Sequence, residues 1–226
     1  MGYAEYVVKE LRRTLAPLAD TDVADGARAY MKNIAPFLGV RTPQRRATAK
    51  SLFKTLDPPD SDTLGHTARL LYAQQHREFA YCANDMIAFF IKCADQDFLE
   101  QHVQDLLVTK PWWDTVDGLG SSAISPLTIK FPNMRLIETW NSSDNMWLAR
   151  AAIQHQRGRR SETDVDYVLE ICARHSESRE FFITKAVGWA LRDIAAFNKP
   201  AVRRYVKEHP ELHRVTTREA ERGLNR

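Results

Sequence analysis

Phe181-Phe182-Ile183-Thr184-Lys185-Ala186-Val187-Gly188-Trp189-Ala190-Leu191-Arg192-Asp193-Ile194-Ala195-Ala196-Phe197 decides the fold class. Val187, Ala190 and Ile194 recur at helical intervals with Trp189 and Ala195 beside them, so this segment predicts one long helix with an apolar stripe. The same period runs outward in both directions. Downstream, Pro200 permits a new start, and Thr216 with Glu219 has the spacing of a capping box. Upstream, Ser161 and Asp164 have a similar spacing, Ser143 or Asp144 is expected to cap a helix holding Met146, Trp147 and Ile153, and another helix begins near Asn133. A helix from Trp113 weakens at Gly118-Leu119-Gly120 and resumes through Ile124, Leu127 and Ile129.

The N-terminal half repeats the pattern. Tyr6, Val7, Leu11, Leu15 and Leu18 are spaced for a helix, and a second helix carries Ala27, Tyr30 and Met31. Thr42-Pro43 reads as an N-cap followed by proline at the first helical position, opening a basic helix to about Leu56. After the break at Pro58-Pro59, Asp60 or Ser61 caps the next helix; Glu78 to Ala94 and Asp97 to Lys110 supply two more. Strand-like alternation is scarce. About twelve short helices without a low-complexity linker predict an all-α chain, one domain over residues 1–226, built as an α-solenoid of antiparallel helix pairs with a concave face. No strict sequence period marks the repeats.

Composition narrows the function classes. With 226 residues, 44% of them hydrophobic, the chain can bury a sizeable core. No basic-then-apolar leader is read, because Lys9, Arg12 and Arg13 interrupt the first apolar positions, and no apolar run reaches the roughly 18 residues of a membrane span. A cytosolic location is expected. Cys82, Cys93 and Cys172 form no disulfide or metal spacing, and the seven histidines contain no ligand motif, so no metal is expected. The net charge of +3 is modest, but its distribution is uneven. Arg41, Arg45, Arg46, Lys50 and Lys54 form one acid-free basic segment, and Arg150, Arg157, Arg159 and Arg160 form another. Phosphate binding on one curved surface explains both, and so do two solvated outer faces.

Trp112-Trp113-Asp114-Thr115-Val116-Asp117 places Trp113 and Asp117 four residues apart, on one helix face. An aromatic face attracts positive charge and a fixed carboxylate stabilises it, so the pair suits a charged base or a sugar cation. The hexapeptide equally fits two core anchors followed by ordinary first-turn acids. Two further aromatic-polar faces recur, Trp147 with Arg150 and Lys185 with Trp189 and Arg192. Spacing alone leaves Trp147, Trp189 and Tyr30 as packing residues and Arg150 and Lys185 as solvated cations.

Five ordered motifs change those odds. Ala29-Tyr30-Met31-Lys32-Asn33, Phe37 through Arg46, Trp112 through Asp117, Ser143 through Arg150, and Phe181 through Trp189 with Leu191-Arg192 closely resemble the AlkD family of bacterial DNA alkylation-repair glycosylases. The resemblance runs from about Tyr30 to Ala220. It implies HEAT-like repeats whose concave basic face grips duplex DNA and removes cationic N3- or N7-alkylated purines without flipping the base into a deep pocket and without a cofactor. By motif position it implies Trp113, Asp117 and Trp189 as the catalytic cluster. Arg150 is implied as a phosphate and cleft residue, Tyr30 as an aromatic on the DNA-facing surface, and Thr42 and Arg192 as backbone contacts. The expected partner is duplex DNA containing alkylated purines, with no membrane and no obligate protein partner, for a monomer in the bacterial cytosol at the nucleoid. Two other readings are a glycosylase specialised for bulky natural-product adducts in self-resistance, and a non-catalytic HEAT-like module that binds DNA or protein. Gly118-Leu119-Gly120 departs from the family pattern after Asp117.

Overall fold

The computed structural model describes residues 2–226, and among these every regular element is helical. Two compact units divide the chain, one ending at Lys110 and the other running from Pro111 to Arg226.

The first unit contains α1 (Tyr3–Leu15), α2 (Thr21–Tyr30), α3 (Thr42–Phe53), α4 (Ser61–Tyr72), α5 (Arg77–Phe89) and α6 (Gln104–Val108). α1 packs against α3 and α4, and α5 packs against the same two. The apolar stripe of α1 is buried as its period requires: Ala4, Val7, Val8, Leu11 and Leu15 face inward. Each fully buried Leu or Val side chain contributes about 1.5–3 kcal/mol, so Leu11→Ala is a severe change. Asp60 rather than Ser61 caps α4, accepting from the Thr63 amide at 2.7 Å. At α3 the cap is Arg41 and Thr42 already lies in the first turn, one residue from the expected boundary. Pro43 fits there because first-turn amides have no intrahelical acceptor to lose. The predicted Glu78–Ala94 helix ends at Phe89 and closes with a 3₁₀ turn, Ile91–Cys93; the predicted Asp97–Lys110 helix opens as a π-helical turn, Leu99–Val103, before α6.

Two polar links fix loops in this unit. Glu78, 2% exposed at the start of α5, accepts from the backbone amides of Leu38, Gly39 and Val40 at 3.0, 2.8 and 3.4 Å. Gly39 has φ 84° and a Cβ there would strike the backbone oxygen of Asp20, so this turn admits only glycine. Lys110 donates to the carbonyls of Tyr72, Ala73 and Gln74 at 3.2, 3.2 and 2.9 Å, which satisfies the C-terminal end of α4 with a cation.

The second unit contains α7 (Trp113–Leu119), α8 (Ser125–Lys130), α9 (Met134–Asn141), α10 (Met146–Ile153), α11 (Val165–Ala173), α12 (Phe181–Ala195), α13 (Lys199–Glu208) and α14 (Arg214–Leu224). Gly118-Leu119-Gly120 does not interrupt the chain path. A single π-helical turn, Gly120–Ile124, joins α7 to α8, so the helix widens for one turn and continues. Three expected caps move. Asn145 caps α10 in place of Ser143 or Asp144, accepting from the Trp147 amide at 3.0 Å. Asp164 itself caps α11, bonded to the Tyr167 amide at 3.2 Å, while Ser161 sits in a preceding 3₁₀ turn. His213 caps α14, so Thr216 and Glu219 are not a capping box. Both instead turn inward: the Thr216 hydroxyl donates to the Thr184 carbonyl at 2.9 Å, and Glu219 is 2% exposed.

α12 packs closely on α14 because small residues meet there. A Cβ at Gly188 would lie 2.8 Å from the Cβ of Glu219, and one at Gly223 would lie 2.8 Å from the Cβ of Ala195. That approach delivers the Glu219 carboxylate to the face of α12 that carries Lys185 and Arg192.

Candidate active site

The tandem tryptophans at the start of α7 have different surroundings. Trp112 packs edge-on against Phe182 with centroids 4.9 Å apart and lies 5.8 Å from Trp147, which itself lies 5.0 Å from Phe182. This aromatic cluster anchors the N-terminus of α7 to α10 and α12. Trp147 is therefore a core residue, 7% exposed. Trp113 is only part-buried, and Asp117 follows it one turn later on the same helix.

Asp117 is held rather than free. Arg150 grips it through two parallel bonds, Nε to Oδ1 and Nη2 to Oδ2, both 2.9 Å, and Gln154 Nε2 donates to Oδ1 at 3.1 Å. Arg157 Nη1 stands 3.7 Å from Oδ2, too far for a hydrogen bond but close enough for charge attraction. The Asp117 side chain is 13% exposed and that of Arg150 only 1%. A bidentate pair this dry fixes the carboxylate's direction as well as its charge. A carboxylate has about four lone-pair sites. Arg150 takes one on each oxygen and Gln154 a second on Oδ1, which leaves Oδ2, the oxygen nearer Arg157 in the ion pair, with one site.

Trp189 on α12 is joined to this carboxylate through cations. The Arg157 and Arg150 guanidinium carbons lie 4.7 and 5.2 Å from its ring centroid, and Arg192 and Lys185 follow at 5.8 and 5.9 Å. Arg150 and Arg157 thus each touch both Asp117 and Trp189. Glu219 holds the outer pair. Its oxygens receive Lys185 Nζ at 2.8 Å, Arg192 Nη1 at 2.7 Å and Arg222 Nη1 at 2.6 Å. Burial alone would raise the Glu219 carboxyl, but Lys185, Arg222 and Arg192 outweigh it and hold it below the ordinary carboxylate range.

Two of the residues implied as DNA contacts have partners within the protein. Arg150 is buried, and besides Asp117 it donates through Nη1 to the Phe182 carbonyl at 2.5 Å. Arg192 is paired with Glu219 and a quarter exposed, so it is tethered beside Trp189. Tyr30 and Thr42 belong to the first unit. Tyr30 ends α2 with 71% of its surface exposed, and Thr42 is exposed in the first turn of α3.

Arg157, Gln154 and Glu219 complete the arrangement and were not read as site residues in the sequence. Gln154 follows the end of α10 one turn after Arg150, a spacing that could have shown it. Glu219 had no such signal, since only the α12–α14 approach reveals it.

Comparison with known proteins agrees with this fold. A sequence model of the family described as "DNA alkylation repair enzyme" matches residues 11–224. Among solved structures, one titled "Predicted DNA alkylation repair enzyme from Enterococcus faecalis" is 24% identical with a TM-score of 0.76, covering 90% of this chain and 95% of that one. The protein smu.31 from Streptococcus mutans UA159 is 17% identical at a TM-score of 0.60, covering 89% and 95%. AlkD2 from Streptococcus mutans is 18% identical at a TM-score of 0.59, covering 80% and 87%. A search of curated proteins found no match. The fold is that of the AlkD-type helical-repeat proteins, and the chain belongs to the DNA alkylation repair enzyme family.

Proposed function

We propose that this chain is a DNA glycosylase that hydrolyses the N-glycosidic bond of cationic N3- or N7-alkylpurines in duplex DNA. The observation that carries the reading is the Asp117 carboxylate, aimed by a buried bidentate arginine and linked to the Trp189 ring through Arg150 and Arg157. An alkylpurine already bearing positive charge leaves as a neutral base, so no acid is needed to protonate it. One carboxylate then suffices where ordinary glycosidases use two. As the bond to the base lengthens, positive charge moves onto the deoxyribose, and a fixed carboxylate beside π faces stabilises it. Water adds to C1′, the base departs with the bond pair, and one proton is released to solvent. The named partners of Asp117 are all donors, which suits a group that acts by charge and position.

DNA binding in this reading falls to exposed cations and to the surface residues Tyr30 and Thr42. On α3, Arg46 and Lys50 are exposed, as is Lys54 immediately beyond it, so that face can meet phosphates directly. The protein works as a monomer, and the reaction draws only on water.

Free-base release from duplexes containing 7-methylguanine or 3-methyladenine analogues tests the reading. We expect release of both and none of the uncharged base O6-methylguanine. Asp117→Asn is expected to lose about 10²–10³-fold in rate, the scale for removing one preorganised electrostatic group. No release by the wild type, or full activity in Asp117→Asn, would refute it.

A further inference from the structure

Arg157 holds a place that the proposed chemistry needs. Its guanidinium lies 4.7 Å over Trp189 and 3.7 Å from Asp117 Oδ2, so it reaches both the indole and the carboxylate oxygen that has the fewer hydrogen bonds. A planar, delocalised cation against both groups resembles the flattened sugar cation that the same groups are proposed to stabilise. Its attachment is weak: one hydrogen bond to Gln154 Oε1 at 3.0 Å, with 35% of the side chain exposed. Arg150, by contrast, is buried and bound on three sides.

The structure also provides space for Arg157 to leave. Arg157 lines a cavity of about 430 Å³ together with Trp189, Ile194, Arg160, Arg192 and Arg226. Its single carboxylate, Asp193, is pushed up by burial, against the pull of Arg157, Arg192 and Arg226. The cavity wall is therefore rich in cations. Arg192 is already paired with Glu219, so Arg157, Arg160 and Arg226 are the lining cations left to attract an anion, and in a DNA-binding protein that anion is a backbone phosphate.

We infer that Arg157 is a removable stand-in for the sugar cation, which occupies the Asp117–Trp189 slot in the free protein and passes to a DNA phosphate when a substrate sugar enters. The inference rests on the glycosylase reading of that slot. Its consequence is selectivity. An arginine that must be drawn away by phosphate keeps the open side of Asp117 covered in the free protein and exposes it only on DNA.

The test is binding to two otherwise identical duplexes, one unmodified and one carrying a cationic pyrrolidine in place of a single deoxyribose. In the wild type the pyrrolidinium must displace Arg157; in Arg157→Gln it need not. A cation–π contact at a part-exposed site is worth about 0.5–1 kcal/mol, so at salt high enough to screen the phosphate contact the preference for the pyrrolidine duplex should rise about two- to fivefold in Arg157→Gln. The salt dependence of binding to that duplex should become shallower by about 0.9 in log–log slope, the loss of one phosphate contact. Arg157→Lys should restore the slope. An unchanged or weakened preference in Arg157→Gln makes Arg157 a fixed support of Asp117 and overturns the inference, and an unchanged slope overturns the transfer to phosphate. These failures differ from failure of the function itself, in which the wild type neither prefers the pyrrolidine duplex nor releases a methylated base.

Discussion

The two basic segments look alike in the sequence and have opposite fates in the structure. Along α3, only Arg45 turns inward, where it pairs with Asp85 and lies 5.2 Å from the Tyr81 ring; Arg41, Arg46, Lys50 and Lys54 stay exposed. Along Asn145–Arg160, Arg150 is sealed against Asp117, Arg157 lies over Trp189, and Arg159 donates to the Ser125 carbonyl at 2.9 Å. One segment spends its charge on the surface and the other spends it on shaping a site. The cause is the partner, not the segment. Asp117 and the Ser125 carbonyl lie on neighbouring elements, where no pattern of charge within 145–160 can report them.

The largest expected effect separates the two buried arginines. Arg150→Met leaves Asp117 without its bidentate partner in a dry setting, and should destabilise the protein by about 3–5 kcal/mol in urea unfolding. Arg45→Met should cost less, about 1.5 kcal/mol, because the Asp85 side chain is 26% exposed and Arg46 remains 3.7 Å away. Equal losses at both positions would erase the contrast.

Between those two falls a pH effect peculiar to the second segment. His155 is buried; its Nδ1 bonds the Ala152 carbonyl at 2.7 Å and its Nε2 faces Gln156 Nε2 at 3.0 Å, which is the pattern of a neutral ring that donates once and accepts once. Burial pushes its pKa down to about 4, against the small upward pull of its bond to Ala152. The unfolded histidine binds a proton near pH 6.5 while the folded one does not. Stability from this group is therefore complete above about pH 6.5 and is lost as pH falls toward 4, a total of about 3 kcal/mol. Unfolding free energies of His155→Gln, measured over that window beside the wild type, should show the shallower pH slope.

The fold was largely legible because its signal is local. Helical period, proline starts and a helix that weakens at Gly118-Leu119-Gly120 and then resumes can all be read within a dozen residues. Caps were less secure. Ser143, Asp144 and Asn145 are all competent acceptors, and which one caps depends on how the loop enters α10. Of the site, Trp113 and Asp117 share a helix and so share a spacing, whereas the Trp112 packing, the Glu219 hub and the Arg157 position depend on contacts between helices remote in sequence. The Thr216 and Glu219 spacing pointed to a cap although the close approach at Gly188 had committed both side chains to α12.

The smallest stability effect is the sharpest test of the surface half of the comparison. Lys50 and Lys54 are exposed, and neither belongs to the ion pairs around Asp85, so Lys50→Gln with Lys54→Gln should change unfolding free energy by less than about 0.5 kcal/mol. Duplex DNA affinity should nevertheless fall, and its log–log salt slope should become shallower by about 0.9 for each phosphate contact removed. The loss should be the same for unmodified and methylated duplexes, because a lysine on α3 reads phosphate and not the lesion. Substituting Arg150 should do the reverse, lowering stability and base release while leaving the salt slope unchanged, since a guanidinium 1% exposed and bound to Asp117 has no counterion to displace from DNA.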